Sequence, residues 1–250
     1  MQSEFELLRD AFPDRPEMGP ALSRVLLDQV AAGKRRPTVR LSRPGRVVAF
    51  GRRDCNSPGY EAAVSASRAG EFEAMERLAG GRAAAYSEGT LSMTITLPDP
   101  TPAKRTTKRF EYAAGIARDA LTQIGIDARV GEVEGEYCPG AFSINTGGRT
   151  KLVGIGQRMI RGAAHIGFVM TVRDAETIRR VLEPVYTALE LEWRPETVGA
   201  IDDEVPSITL AEVERSLLER ISLDSSITEV PLDTATVELA AGVAGRFRSP

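Results

Sequence analysis

Two side chains and a pair of glycines could do chemistry together in this chain. Cys138 stands in "EGEYCPGAF" (Glu134 to Phe142), directly before Pro139-Gly140. Such dipeptides mark turns, so the thiol is expected in a loop, where it can be accessible. A thiolate there would be a nucleophile. The competing reading is a half-buried cysteine that packs as a small hydrophobe. Lys151 sits in "TKLVGIG", among Leu152, Val153 and Ile155, so its strand should run near the core. A lysine so placed must snorkel outward or meet a partner. Lining a cavity, its cation would favour a nearby thiolate or bind a carboxylate or acyl carbonyl. The competing reading is an edge lysine that points to solvent. Gly80-Gly81, in "MERLAGGRAAAYSEGTLS", form a flexible loop that serves either a close approach to a ligand or a tight turn. Cys55, in "RRDCNSPG", has no evident partner and reads as structural or incidental. His165, in "RGAAHIGFVM", alternates with strand residues and reads as a structural histidine rather than a base.

Several other chemistries are excluded. The sequence has no GxxxxGK[ST], no GxSxG and no HExxH. One histidine and no CxxC argue against a structural zinc site. The chain has 250 residues, 42% of them hydrophobic, enough for one core domain with a small appendage. A formal net charge of −3, with both signs interspersed, argues against binding to bulk nucleic acid or an anionic membrane. No apolar run approaches the ~18 residues of a membrane span. "MQSEFELLRDAF" lacks the basic and apolar regions of a signal peptide. These features lead to the expectation of a cytoplasmic protein without disulfides.

The elements that must position these residues follow from periodicity and turn signals. "MGPALSRVLLDQVAAG" and "RFEYAAGIARDALTQIGI" carry helical spacing, and "SPGYEAAVSASRAG" reads as a capped helix. "PTVRLSR" and "RVVAFGRR" read as strands joined in a hairpin by Arg43 to Gly45. Further strands are expected at "FEAMER", from Thr90 to Leu97, at "ARVGEVE" and at "AAHIGFVMTV". "FSINTGGRTKLVGIG" reads as a hairpin around Thr146-Gly147-Gly148. "DAETIRRVLEPVYTALE" is a helix with an Asp cap and an expected kink before Pro184. Such hairpins imply an α+β fold with a mixed, mainly antiparallel sheet flanked by helices. The loop-like acidic run Arg194 to Ser207 suggests a main domain at 1–195 and a short helical extension at 196–250 packed on it. In that extension "TLAEVERSLLERI" opens on a capping-box pattern, Thr209 and Glu212, and Asp233 to Pro250 reads as a short helix that frays.

Taken together, these pieces resemble the biotin/lipoate protein ligase and octanoyltransferase superfamily, over roughly Leu26 to Leu191. "MERLAGGRAAAYSEGTLSMTI" is similar to the family's Arg-x-x-Gly-Gly loop, which binds the acyl chain and its carbonyl end. "GRTKLVGIGQRMIRGAAHIGFVM" is similar to the segment in which a lysine precedes a strand of small residues. The resemblance implies a catalytic domain of that fold, with Arg77, Gly80, Gly81 and Gly154 at the acyl group. The segment from "EYCPG" to Gly162 looks most like the amidotransferase branch, whose cysteine nucleophile precedes Pro-Gly just ahead of the lysine. Cys138 and Lys151 match those positions. Two departures stand out: Tyr86 replaces a histidine common in lipoate ligases, and Arg82 replaces a third small residue, which implies an altered acyl pocket.

The activity so implied is transfer of an octanoyl or lipoyl group through a thioester on Cys138, without a cofactor or metal. The donor would be the glycine-cleavage H protein or acyl carrier protein, and the acceptor a lysine of an E2 lipoyl domain. Lys151 would act as a cation that lowers the thiol pKa or as a proton acceptor, and Leu78, Ala83, Leu91, Val153 and Ile155 would line the acyl tunnel. The alternatives are an ATP-dependent lipoate-protein ligase and a non-catalytic module that binds lipoyl domains or an acyl ligand. One geometric obstacle stands in the way. In a plain hairpin, Lys151 would lie opposite Ile144 and ~20 Å from Cys138 by strand rise. Pro139-Gly140 must therefore fold the cysteine loop back over the sheet.

Overall fold

The computed structural model describes residues 3–250. In chain order its elements are β1 (Ser3–Asp10), α1 (Met18–Ala31), β2 (Thr38–Ser42), β3 (Val47–Phe50), α2 (Arg52–Cys55), α3 (Tyr60–Ala69), β4 (Glu73–Glu76), β5 (Ala84–Tyr86) and β6 (Thr90–Asp99). There follow α4 (Thr106–Gln123), β7 (Ala128–Val130), β8 (Ile144–Thr146), β9 (Thr150–Ile160), β10 (Gly162–Thr171), α5 (Ala175–Ala188), α6 (Leu210–Ser222), β11 (Ser225–Glu229) and α7 (Thr234–Ala244).

Eight strands form one sheet in the order β11-β1-β2-β6-β10-β9-β8-β7, and three form a second, β4-β3-β5. In the large sheet only the β11–β1 and β1–β2 pairs are parallel. The fold is thus α+β with a mixed, mainly antiparallel sheet. Alternation along β6 and β10 explains its layering; on β9, where the register shifts, Leu152 and the adjacent Val153 both join the core. Leu91, Met93, Ile95, Leu152, Ile166 and Phe168 pack with Ile116, Ala117 and Leu121 of α4 and with Val213, Leu217 and Ile221 of α6. The alternate positions face a cavity and α1. The small sheet packs on α3 and α5, with Ala63 and Val64 from one helix and Ile178, Leu182 and Val185 from the other.

The expected hairpin between Thr38 and Phe50 does not form. β2 joins the large sheet, while β3 becomes the central strand of the small one, between β4 and β5. The reason is in the pattern: Val47, Val48, Ala49 and Phe50 are all buried. A strand apolar on both sides needs cover on both faces, which a two-stranded hairpin at a sheet edge does not supply.

Residues 196–250 are woven into the same layers. The capping box of α6 forms, with Thr209 N donating to Glu212 Oε2 at 2.9 Å and Glu212 N donating to Thr209 Oγ1 at 3.2 Å. β11 then extends the large sheet beside β1. The closing helix α7 is not a frayed tail. Its Ala240 and Ala244 are buried against Met18, Leu22 and Leu26 of α1. Its N-terminus is capped by Asp233, which accepts from Thr236 N at 2.8 Å. At α5 Asp174 stands at the N-cap as expected, but its backbone is left-handed, φ +70°, and its carboxylate takes the Thr177 hydroxyl at 2.8 Å rather than a backbone N–H. The helix runs on through Pro184 to Ala188.

Leu217 of α6 is fully buried against the large sheet's core. Leu217→Ala should lower unfolding free energy by about 2–5 kcal/mol, read from urea denaturation. A change below about 0.5 kcal/mol, the size of a surface substitution, would show that α6 does not belong to the cooperative unit.

Candidate active site

Cys138 sits in the long loop between β7 and β8, which returns over β9. Its backbone is left-handed, φ +42°. For a residue with a side chain this costs roughly 1–2 kcal/mol, so the surroundings must hold it. Lys151 Nζ does so from below. It donates to the carbonyl of Cys138 at 2.8 Å, the carbonyl of Tyr137 at 2.9 Å and Glu136 Oε1 at 3.0 Å. It also lies 4.8 Å from the centre of the Tyr137 ring. The lysine does not snorkel; only 1% of it is exposed. Cysteine and lysine therefore meet, through the cysteine's carbonyl.

The separation expected of a plain hairpin is overcome in two ways. The β8–β9 register shifts, so that Lys151 pairs with Asn145 while Ile144 pairs with Val153. The chain before Ile144 then leaves the sheet and doubles back. Glu136 organises this return. Its Oε1 accepts from Ser143 Oγ at 2.6 Å and Gly140 N at 3.2 Å, and its Oε2 accepts from Val133 N at 3.0 Å. A third anchor comes from α5. Tyr186 Oη accepts from Cys138 N at 2.7 Å and donates to the carbonyl of Ala83 at 2.9 Å. Burial holds the Tyr186 phenol well above its ordinary range, so it stays a donor.

The sulfur faces the opposite loop. Arg77 Nη2 and the Arg82 backbone N–H each donate to Cys138 Sγ at 3.2 Å. The glycine pair makes this approach possible. Gly81 has φ +114°, and a Cβ on it would come 2.1 Å from Arg77 Nη2 and 2.8 Å from the sulfur. The Arg82 side chain turns away to Asp54, whose Oδ1 accepts from Nη1 at 2.9 Å. It is absent from the cavity wall, so Arg82 does not reshape the acyl pocket as its side chain led one to expect. Burial pushes the Cys138 thiol up. The Arg77 and Lys151 charges and the two donated hydrogen bonds outweigh it, and the thiol ends below its ordinary value. At Cys55 burial dominates and the thiol ends above it.

One cavity of about 510 Å³ takes in every expected site residue: Arg77, Gly80, Gly81, Cys138, Lys151 and Gly154. Leu78 and Ile155 line it, as anticipated for an acyl tunnel. Ala83, Leu91 and Val153 do not; they are packed into the two cores. His165 also borders the cavity, yet its Nδ1 is paired with Thr96 Oγ1 at 2.9 Å, and burial lowers its pKa to about 3. It is neutral and held, as a structural histidine. Sequence reasoning missed Glu136, Tyr186 and the Arg82 amide. Glu136 is one of several glutamates in "GEVEGEY". Tyr186 reads as core, and a backbone amide has no side-chain signature.

A model of the lipoyl protein ligase A/B catalytic domain matches residues 15–222. The chain belongs to this family. Among its relatives, the octanoyl-[GcvH]:protein N-octanoyltransferase of Geobacillus kaustophilus is 27% identical over 92% of this chain and 77% of that protein. The enzyme of the same name from Anoxybacillus flavithermus is 29% identical over 65% of this chain and 61% of that protein. The solved bipartite lipoate protein ligase of Thermoplasma acidophilum, studied with its E2 lipoyl domain, has the same fold, with TM-score 0.75 at 19% identity over 98% of this chain and 93% of that one. The glycine loop, the cysteine loop and β9 all fall inside the span that matches the family.

The two thiols should differ in reactivity. A lowered pKa gives more thiolate at neutral pH, so iodoacetamide at pH 7 should modify Cys138 before Cys55, as seen in peptide mass spectra. The rate–pH midpoint for Cys138 should lie below the ~8.5 of an ordinary thiol. Arg77→Met removes the nearest cation and should move that midpoint upward. Gly81→Ala should do likewise, because its methyl group displaces Arg77. A wild-type midpoint at or above ~8.5 would refute this account of the site.

Proposed function

We propose that this protein is an acyltransferase of protein lipoylation, which moves an octanoyl or lipoyl group through a thioester on Cys138. The donor is a carrier protein bearing the group, the glycine-cleavage H protein or acyl carrier protein, and the acceptor is a lysine of an E2 lipoyl domain. The observation that carries the reading is the thiol itself. It faces a cavity and is held by Arg77 and the Arg82 amide, which favour its ionised form. The names of the octanoyl-[GcvH] relatives support the same assignment.

In the first step the thiolate attacks the donor carbonyl carbon. A C–S bond forms, the bond to the carrier breaks, and the departing amine or thiolate of the carrier takes up a proton. In the second, the acceptor lysine amine attacks the thioester carbon, loses a proton and displaces the thiolate. Splitting amide exchange into two steps is what a covalent nucleophile contributes. Arg77 and the Arg82 N–H lie beside the sulfur and are placed to stabilise charge on the acyl oxygen. The sequence left Lys151 as cation or base. Its three contacts with Glu136, Tyr137 and Cys138 support the cation, which braces the loop and adds its field. Among the described residues no helix is long and apolar enough to cross a membrane. We place the reaction in the cytoplasm, because a free nucleophilic thiol needs a reducing compartment.

Intact mass spectrometry after incubation with octanoylated H protein or acyl carrier protein should show one added octanoyl group on Cys138 and none on Cys55. Cys138→Ala should reduce transfer to an E2 lipoyl domain by at least about 10³-fold while the protein stays folded. Transfer that survives this substitution would eliminate the thioester route. Survival that needs ATP and free lipoate would put the ligase reading first.

A further inference from the structure

The Glu136 carboxylate is buried, 3% exposed, and never touches the sulfur, yet it is bonded on both sides of it in the chain. Val133 N precedes Cys138, Gly140 N and Ser143 Oγ follow it, and all three donate to this one carboxylate. The fourth donor is Lys151, from a different element. Lys151 in turn holds the carbonyls of Tyr137 and Cys138. Loop and cation are therefore one unit, and Glu136 is the side chain that bonds both ends of the loop and the Lys151 ammonium. Without it, the lysine would still reach the two carbonyls and Tyr186 would still hold the Cys138 N–H, but Val133, Gly140 and Ser143 would lose their shared acceptor and the loop would be less firmly fixed about those contacts. A displacement of even 1 Å in a reacting group costs up to about 10²-fold in rate.

We propose that Glu136 is a positioning residue of the transfer reaction, one that aims the Cys138 loop and offsets part of the Lys151 charge felt by the thiol. This rests on the acyl-transfer reading of Cys138. Its chemical content is specific. An anion beside Lys151 weakens the field at the sulfur, so its removal should make the thiol ionise more easily while transfer becomes slower. A residue that merely stabilised the loop would slow transfer without that opposite movement.

Glu136→Gln keeps the shape and removes the charge. The expected result is a fall in kcat of about 10–100-fold, as for outer-shell partners of a site, with little change in KM for the acyl carrier. The rate–pH midpoint for alkylation of Cys138 should shift downward. A midpoint that stays in place or rises would overturn the proposal, and so would an unchanged kcat. Should Glu136→Gln fail to fold, the double variant Glu136→Leu, Lys151→Met removes both charges and refills the space. It should fold, raise the alkylation midpoint and lack transfer; wild-type transfer by it would also overturn the proposal. The alkylation readout does not depend on transfer. Failure of the underlying reading is seen separately, as transfer retained by Cys138→Ala.

Discussion

Everything at the site depends on one buried ammonium group. Lys151 has been taken out of water, and a charge so placed is tolerated only when it is paired and hydrogen-bonded. The fold meets that demand with two backbone carbonyls and a carboxylate, all from the cysteine loop. The lysine's need for acceptors therefore fixes the conformation of the loop that carries the nucleophile. Removing one partner of such a pair typically costs about 3–5 kcal/mol, mostly because the other is left buried and uncompensated. That dependence also balances the left-handed backbone at Cys138, which no local preference would select.

The sulfur, in contrast, answers to the small sheet. Arg77 follows β4, and the Arg82 amide follows the glycine pair that leads into β5. The thiol stands at the seam between the two sheets, its carbonyl tied to β9 of the large one and its Sγ to the small one. Tyr186 spans the same seam, with Cys138 on one side and Ala83 on the other. The orientation of the nucleophile is thus set by how the two cores pack.

Much of this was legible in the chain. Helical spacing over residues 109–126 and the Thr209–Glu212 box correspond to α4, Thr106–Gln123, and to α6. The alternation in "LSMTITL" and "AAHIGFVMT" corresponds to paired strands. What could not be read was non-local. Turn chemistry at Pro44-Gly45 indicates that the chain bends, not which strands pair afterwards. β1 and β11 pair in parallel from opposite ends of the chain, and no local signal encodes such a match. In the site, residue types pointed to Cys138, Lys151 and Gly80-Gly81 because their chemistry is distinctive, whereas Arg77 was implied by the resemblance of its loop to the family's. Glu136 is hidden among neighbouring glutamates, and the Arg82 amide could be found only in three dimensions.

The shifted register between β8 and β9 has a consequence for how the chain finds this arrangement. The two glycines of the Gly147-Gly148 turn carry no side chains, and the alignment is held locally from Asn145, whose Oδ1 accepts from Gly148 N at 2.8 Å. A slip of one residue turns every side chain to the other face. Here it would drive Lys151 toward the apolar layer that Leu152 now fills beside α4, with no carboxylate to receive it. Misaligned hairpins would carry an unpaired buried charge and be rejected on energetic grounds. The lysine therefore acts as a gauge of alignment, so that a chain which has folded around its charge has already brought its cysteine into place.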